Sequence, residues 1–215
     1  MGLFDNFIKK STKYYGPLNC YDLCQRASKI IRYYDKPDID DVYYDEPDPI
    51  DDNLLYLESI IISFYLLCYR FKNVENYKGN IEIYWMQDND VLRQTFLYLW
   101  NELKKNDSIK LGYIKITGEK LSKEEFEKEL FGYLTSRYNN YCSCIFFDNN
   151  DEPEHRITNF SNAKTLFDNP FTNRYDLKYY TTMDYHNNGG DIDAFCIDFY
   201  GALEDAYNLI KNTIK

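Results

Sequence analysis

Three consecutive stretches decide the expected fold: Ile81-Glu82-Ile83-Tyr84-Trp85-Met86, Asp90 to Lys105, and Leu111-Gly112-Tyr113-Ile114-Lys115-Ile116-Thr117. The first is short, β-branched and aromatic, which favours a strand. The second puts Leu92, Phe96, Leu99, Trp100 and Leu103 on one helical stripe and closes with Lys104, Lys105 and Asn106, residues suited to a helix C-terminus. The third reads as another strand, stopped by Gly118. Strand, helix and strand in that order describe a right-handed crossover.

Downstream, Ser122-Lys123-Glu124-Glu125 has the form of a capping box and opens a helix that buries Phe126, Leu130 and Leu134. Tyr141 to Phe147 reads as a third strand. Leu177 to Met183 and Ile192 to Phe199 read as a hairpin, and Ala202 to Ile214 as a final helix. Upstream, a helix is expected from Leu18 to Tyr34, with Asn19 as its cap. A second helix, Asn53 to Phe71, is apolar around most of its circumference and so belongs at the centre. The expected fold is α/β (or α+β): three layers around a mixed, partly parallel sheet of about five strands, with two N-terminal helices and a C-terminal helix. Residues 1–215 read as one globular domain, helical over 1–75 and α/β over 76–215.

The chain has 215 residues and a formal net charge of -10, and its aromatic content reaches 18% through 23 Tyr and 14 Phe. A pI near 4.7 argues against direct nucleic-acid binding, which relies on a basic footprint. The longest apolar run, Ile60 to Tyr69, is too short to cross a bilayer, which needs about 20 residues. The first ten residues lack the order of a secretory signal, since Asp5 interrupts the apolar part and the lysines follow it. Buried thiols are therefore expected for Cys20, Cys24, Cys68, Cys142, Cys144 and Cys196, in a cytoplasmic protein without a structural metal.

Candidate catalytic groups follow from the expected sheet. Ligands bind beyond the carboxyl ends of parallel strands. Asp88 and Asp90 would follow the first strand, and Asp148 and Asp151 the third, where converging carboxylates could hold Mg2+ for phosphoryl or phosphodiester chemistry. The same residues also read as a helix cap and a turn. His186 lies near Asp184, Asp191 and Asp193, and His155 lies between Glu154 and Arg156 near Glu152; neither grouping has the spacing of a known catalytic motif.

The remaining signal is an acidic segment. Residues 35–52 hold nine Asp or Glu and three Pro, which is incompatible with a packed helix or central strand. Within it, Asp38, Asp40, Asp41, Asp45, Glu46 and Asp48 flank the tyrosine pair Tyr43 and Tyr44. Tyrosines on a negative surface suit capture of a basic protein. The expected function is an intracellular interaction protein that binds and neutralises such a partner, in the manner of immunity proteins and phage-type inhibitors. A metal-dependent hydrolase or phosphotransferase, and a structural component of a virus particle, are the alternatives. The tyrosines also have a compositional reading, because a chain rich in Asn, Ile, Lys and Tyr is what AT-rich coding yields.

Overall fold

The structure, a computed structural model, describes residues 15–32, 52–79, 81, 89–111, 118, 120–145, 147–148, 150–151, 153 and 191–215; for 52–55, 144 and 191–200 it describes the backbone alone. Five helices carry it: α1 (Pro17–Arg32), α2 (Asp52–Val74), α3 (Asp90–Leu103), α4 (Lys123–Cys144) and α5 (Asp191–Thr213). The described residues are 79% helical and contain no strand. An isolated antiparallel bridge between Phe147 and Pro153 is the β-type pairing seen among them.

The three-layer α/β expectation is therefore wrong, and two helices account for much of the error. The capping box at Ser122 forms as expected: its hydroxyl accepts from the Glu125 N–H, and the Glu125 carboxylate accepts from the Ser122 N–H. The helix it opens does not end near Leu134, however, and runs on through residues 141–144. Buried Phe126, Leu130, Leu134, Tyr138, Tyr141 and Ile145 continue one helical spacing across what looked like a strand. Likewise, residues 192–199 are the first turns of α5, not the return strand of a hairpin. Gly201, between that expected strand and the expected final helix, lies inside α5, where it is exposed and a Cβ would meet nothing. Leu111, the expected start of another strand, closes a short helical turn at 107–111. Residues 82–86, 112–117 and 177–183 lie outside the described residues.

The expected centre holds. Every residue from 57 to 68 is buried, so α2 is wrapped on all sides. It packs against the other four helices, and α1 packs in turn against α2, α3 and α5. Pro17 opens α1 at the position where its missing N–H costs nothing. Asn89 caps α3 by accepting from the Leu92 N–H at 3.1 Å. α1 and α2 run antiparallel: Tyr15 meets Phe71 edge-on at one end, and Arg32 lies 5.8 Å over the Tyr56 ring at the other. Near that second end, Gln25 and Tyr56 exchange hydrogen bonds of 2.7 and 2.9 Å. The C-terminal residues are bound to the body, because Arg70 Nε donates to the Ile214 carbonyl at 2.8 Å and Tyr15 to the Lys215 carbonyl at 3.2 Å.

Tyrosine does much of the work of the core. Tyr65, Tyr138, Tyr141 and Tyr207 are at most 2% exposed, and each buries a large ring while its hydroxyl finds an acceptor. Tyr65 donates to the Ile145 carbonyl at 2.9 Å and Tyr138 to the Ile81 carbonyl at 2.5 Å. Tyr141 and Tyr207 bond carboxylates. Among the described residues these four tyrosines are used inside the fold.

Candidate functional site

Two polar centres stand out among the described residues, and both are built on α2. The first lies between α2 and α4. Glu58 is 5% exposed and Arg137 4% exposed. Arg137 donates from Nε and Nη2 to Glu58 Oε2 at 3.2 and 3.1 Å. Tyr141 also donates to Oε2, while Tyr133 donates to Oε1. Tyr141 accepts in turn from Arg137 Nη2 at 3.1 Å. Burial, reinforced by the Glu58 charge, pushes both phenols well above their ordinary pKa, so they stay protonated donors. Burial alone would disfavour the Arg137 charge, but Tyr141, Glu58 and Tyr133 more than offset it and raise its pKa. A buried charge of this kind persists when its pairing is complete.

The sequence carried a signal for this centre. Tyr133, Arg137 and Tyr141 step by four along α4 and so share one face. Glu58 is the one acid of α2 after its first residue, Asp52, and stands just before the apolar run from Ile60 to Tyr69.

The second centre joins α2, the turn at 147–153 and α5. Asp151 has φ of 63°, a left-handed conformation that Asp tolerates better than most residues. Its Oδ1 accepts from Asn73 Nδ2 and, at 2.9 Å, from the Tyr207 hydroxyl. Its Oδ2 faces Arg70 Nη1 at 3.5 Å and Lys211 Nζ at 3.8 Å. Lys211 also donates to the backbone carbonyls of Asn150 and Asp151, at 3.3 and 3.2 Å. Beside this, Tyr69 and Phe147 stack with centroids 3.5 Å apart, and Tyr207 meets Phe147 edge-on at 4.9 Å. Burial first, and then the Asp151 charge, raise the Tyr207 pKa.

The carboxylates expected at strand ends lack that frame. Asp90 is the first residue of α3 and bonds Arg93 and, at 2.8 Å, Gln94 on its own helix. Asp148 forms a turn, accepting from the Asn150 N–H at 2.8 Å. Asp151 is engaged as described, and Asp88 lies outside the described residues. So do His155, His186 and the acidic-segment residues Asp38, Asp40, Asp41, Tyr43, Tyr44, Asp45, Glu46 and Asp48. Among the described residues no three of His, Cys, Asp and Glu are grouped to hold a metal ion. Cys20, Cys24, Cys68 and Cys142 are thiols, not disulfides. Burial raises the Cys20 thiol to about 12 and those of Cys24 and Cys68 well above their ordinary value. Among the described residues no helix is long and apolar enough to cross a membrane.

No protein-family model, curated protein or solved structure matches the chain.

Proposed function

We propose that the protein is a partner-binding protein that captures a basic protein through residues 33–51. The observation that carries this reading is where that segment is attached. It leaves α1 after Arg32 and enters α2 at Asp52, and those two helices are packed together and cross-bonded through Gln25 and Tyr56. A segment dense in Asp and Glu, with Tyr43 and Tyr44 between them, therefore has both ends fixed on a rigid helical pair. Anchored ends reduce the entropy lost when such a segment is ordered on a partner. The two carboxylates at the described polar centres, Glu58 and Asp151, have their oxygens engaged by donors of the same chain, so neither is offered to a cation-rich surface. The proposal places the protein in the cytoplasm, where the thiols would stay reduced.

The test replaces Tyr43 and Tyr44 with Ala and Asp38, Asp40, Asp41, Asp45, Glu46 and Asp48 with their amides. Immobilised full chain is used to capture proteins from host extract, and association rates are measured on whatever is retained. The variant should keep its melting temperature but associate about tenfold more slowly or worse, with a weaker dependence on salt. A folded variant that captures the same protein at the same rate would refute the reading.

A further inference from the structure

Independently of partner capture, we propose that the face formed by α1, α3 and α4 is where a second copy of the chain docks, making the protein a two-fold dimer. Large apolar side chains are exposed at seven of the described positions, and four of these, Leu18, Leu97, Tyr98 and Phe131, belong to this one face. Leu18 is 64% exposed and the other three 40% each. Partly buried Tyr21 and Trp100 join them into a continuous patch. Tyr21 of α1 lies one turn after Leu18 and meets Tyr98 edge-on at 6.4 Å. Leu97 stands one turn before Trp100, and Phe131 of α4 meets Trp100 and Phe96 edge-on at 5.5 and 5.7 Å. Beneath the patch α1 and α3 are packed together, and the Thr95 hydroxyl reaches the Pro17 carbonyl at 3.3 Å. Apolar side chains scattered singly over a surface are ordinary, whereas a contiguous group rimmed by polar residues marks a contact surface.

The middle of the patch has the composition of an interface core. From Gln94 to Asn101, α3 carries no charged residue, and Tyr, Trp and Phe supply most of the exposed area. The edge is charged but balanced. Asp90 pairs with Arg93, and Glu127 with Lys104. Acid and base also alternate about one turn apart at Asp22 and Arg26 on α1, at Glu102 and Lys105 on α3, and at Glu124 and Lys128 on α4. This balance selects the occupant. Two chains of net charge -10 repel wherever acid is in excess, and residues 35–52 hold nine of the acids. A face without net charge lets two copies approach. A two-fold axis sets the same edge against itself in the opposite direction, so that an acid of one copy can face a base of the other. A basic partner gains no such attraction from a neutral edge.

The full chain is examined by sedimentation equilibrium as wild type, Leu97→Lys/Phe131→Lys, Tyr98→Lys and Asn212→Lys. Wild type should populate a species of twice the 25.8 kDa chain mass, with a dissociation constant of about 10 μM or tighter. The double variant should weaken the dimer at least about tenfold while keeping its far-UV circular dichroism. Tyr98→Lys should weaken it in the same direction, and it decides the question should the double variant not fold. Asn212 is exposed on α5, away from this face, so Asn212→Lys adds the same charge elsewhere and should leave the dimer unchanged. Wild type that stays monomeric up to about 100 μM would mean that other residues of the chain or another protein cover the face, and would overturn the proposal. So would folded face variants that dimerise as tightly as wild type, because the contact would then lie elsewhere.

Discussion

Replacing Arg137 with Met removes the positive half of a buried pair and leaves the Glu58 carboxylate inside the bundle with phenol donors alone. Arg137 donates to Glu58 Oε2 from two nitrogens, at 3.2 and 3.1 Å, and both residues are nearly inaccessible. Breaking such a pair from one side costs about 3–5 kcal/mol, because the remaining charge must stay buried or take up a proton. For a chain of this size each kcal/mol moves the melting temperature by roughly 2–4 °C, so a fall of about 6–20 °C is expected. Removing both charges, as Glu58→Leu/Arg137→Met, should recover part of the loss. It also strands the hydroxyls of Tyr133 and Tyr141, each at about 1–3 kcal/mol. Adding Tyr133→Phe and Tyr141→Phe removes those stranded groups as well, and the quadruple variant should approach or exceed wild-type stability. The assay is equilibrium urea unfolding followed by far-UV circular dichroism. A loss below about 1 kcal/mol for Arg137→Met, the value of an exposed pair, would refute the buried geometry. So would a quadruple variant less stable than the single one.

Two further outcomes test other parts of the fold. Cys20 is raised from its ordinary 9.0 to about 12, so above pH 9 the unfolded chain loses this proton while the native chain keeps it. Stability should therefore be flat in this term below pH 9 and fall by about 1.4 kcal/mol per pH unit between 9 and 12. Cys24 and Cys68, raised the same way, steepen the fall. Urea midpoints measured across that range should decline less steeply in Cys20→Ala than in wild type, and an equal slope would contradict the burial. Gly132 and Gly201 lie inside α4 and α5, are exposed, and have open space where a Cβ would sit. Gly132→Ala and Gly201→Ala should each stabilise by about 0.5–1 kcal/mol in the same assay, whereas destabilisation would mean these helices are broken there.

The central helix, the amphipathic α3 and the capping box at Ser122 were legible in the sequence because each repeats an unambiguous helical signal over several turns. The strand assignments failed where a run was short, aromatic and β-branched, since such a run looks alike at the end of a buried helix and in a sheet. Tyr141 to Phe147, with Ile145, Phe146 and Phe147 at its end, is such a run, and only the continuity of Tyr141 and Ile145 with Leu130, Leu134 and Tyr138 reveals the helix. The strand-end carboxylates depended on that sheet and lost their common edge with it. The Glu58 centre left a four-residue step in α4, but its acid and its base are far apart in sequence, so nothing local pairs them. Asp151 was singled out as a metal ligand; the cations that hold it come from α2 and α5, which only the tertiary packing brings together.

The tyrosine hydroxyls bear on which arrangements of this bundle compete with the native one. Apolar helices can slide past one another by a turn and still bury similar area, so greasy contacts alone discriminate poorly among registers. Slipping α4 along its neighbours would separate Tyr65 from the Ile145 carbonyl, Tyr138 from that of Ile81 and Tyr141 from Glu58 together. At about 1–3 kcal/mol for each stranded group, the slipped state lies roughly 3–9 kcal/mol higher. Three oxygen atoms thus widen the gap on the folding landscape between one register and its nearest rivals.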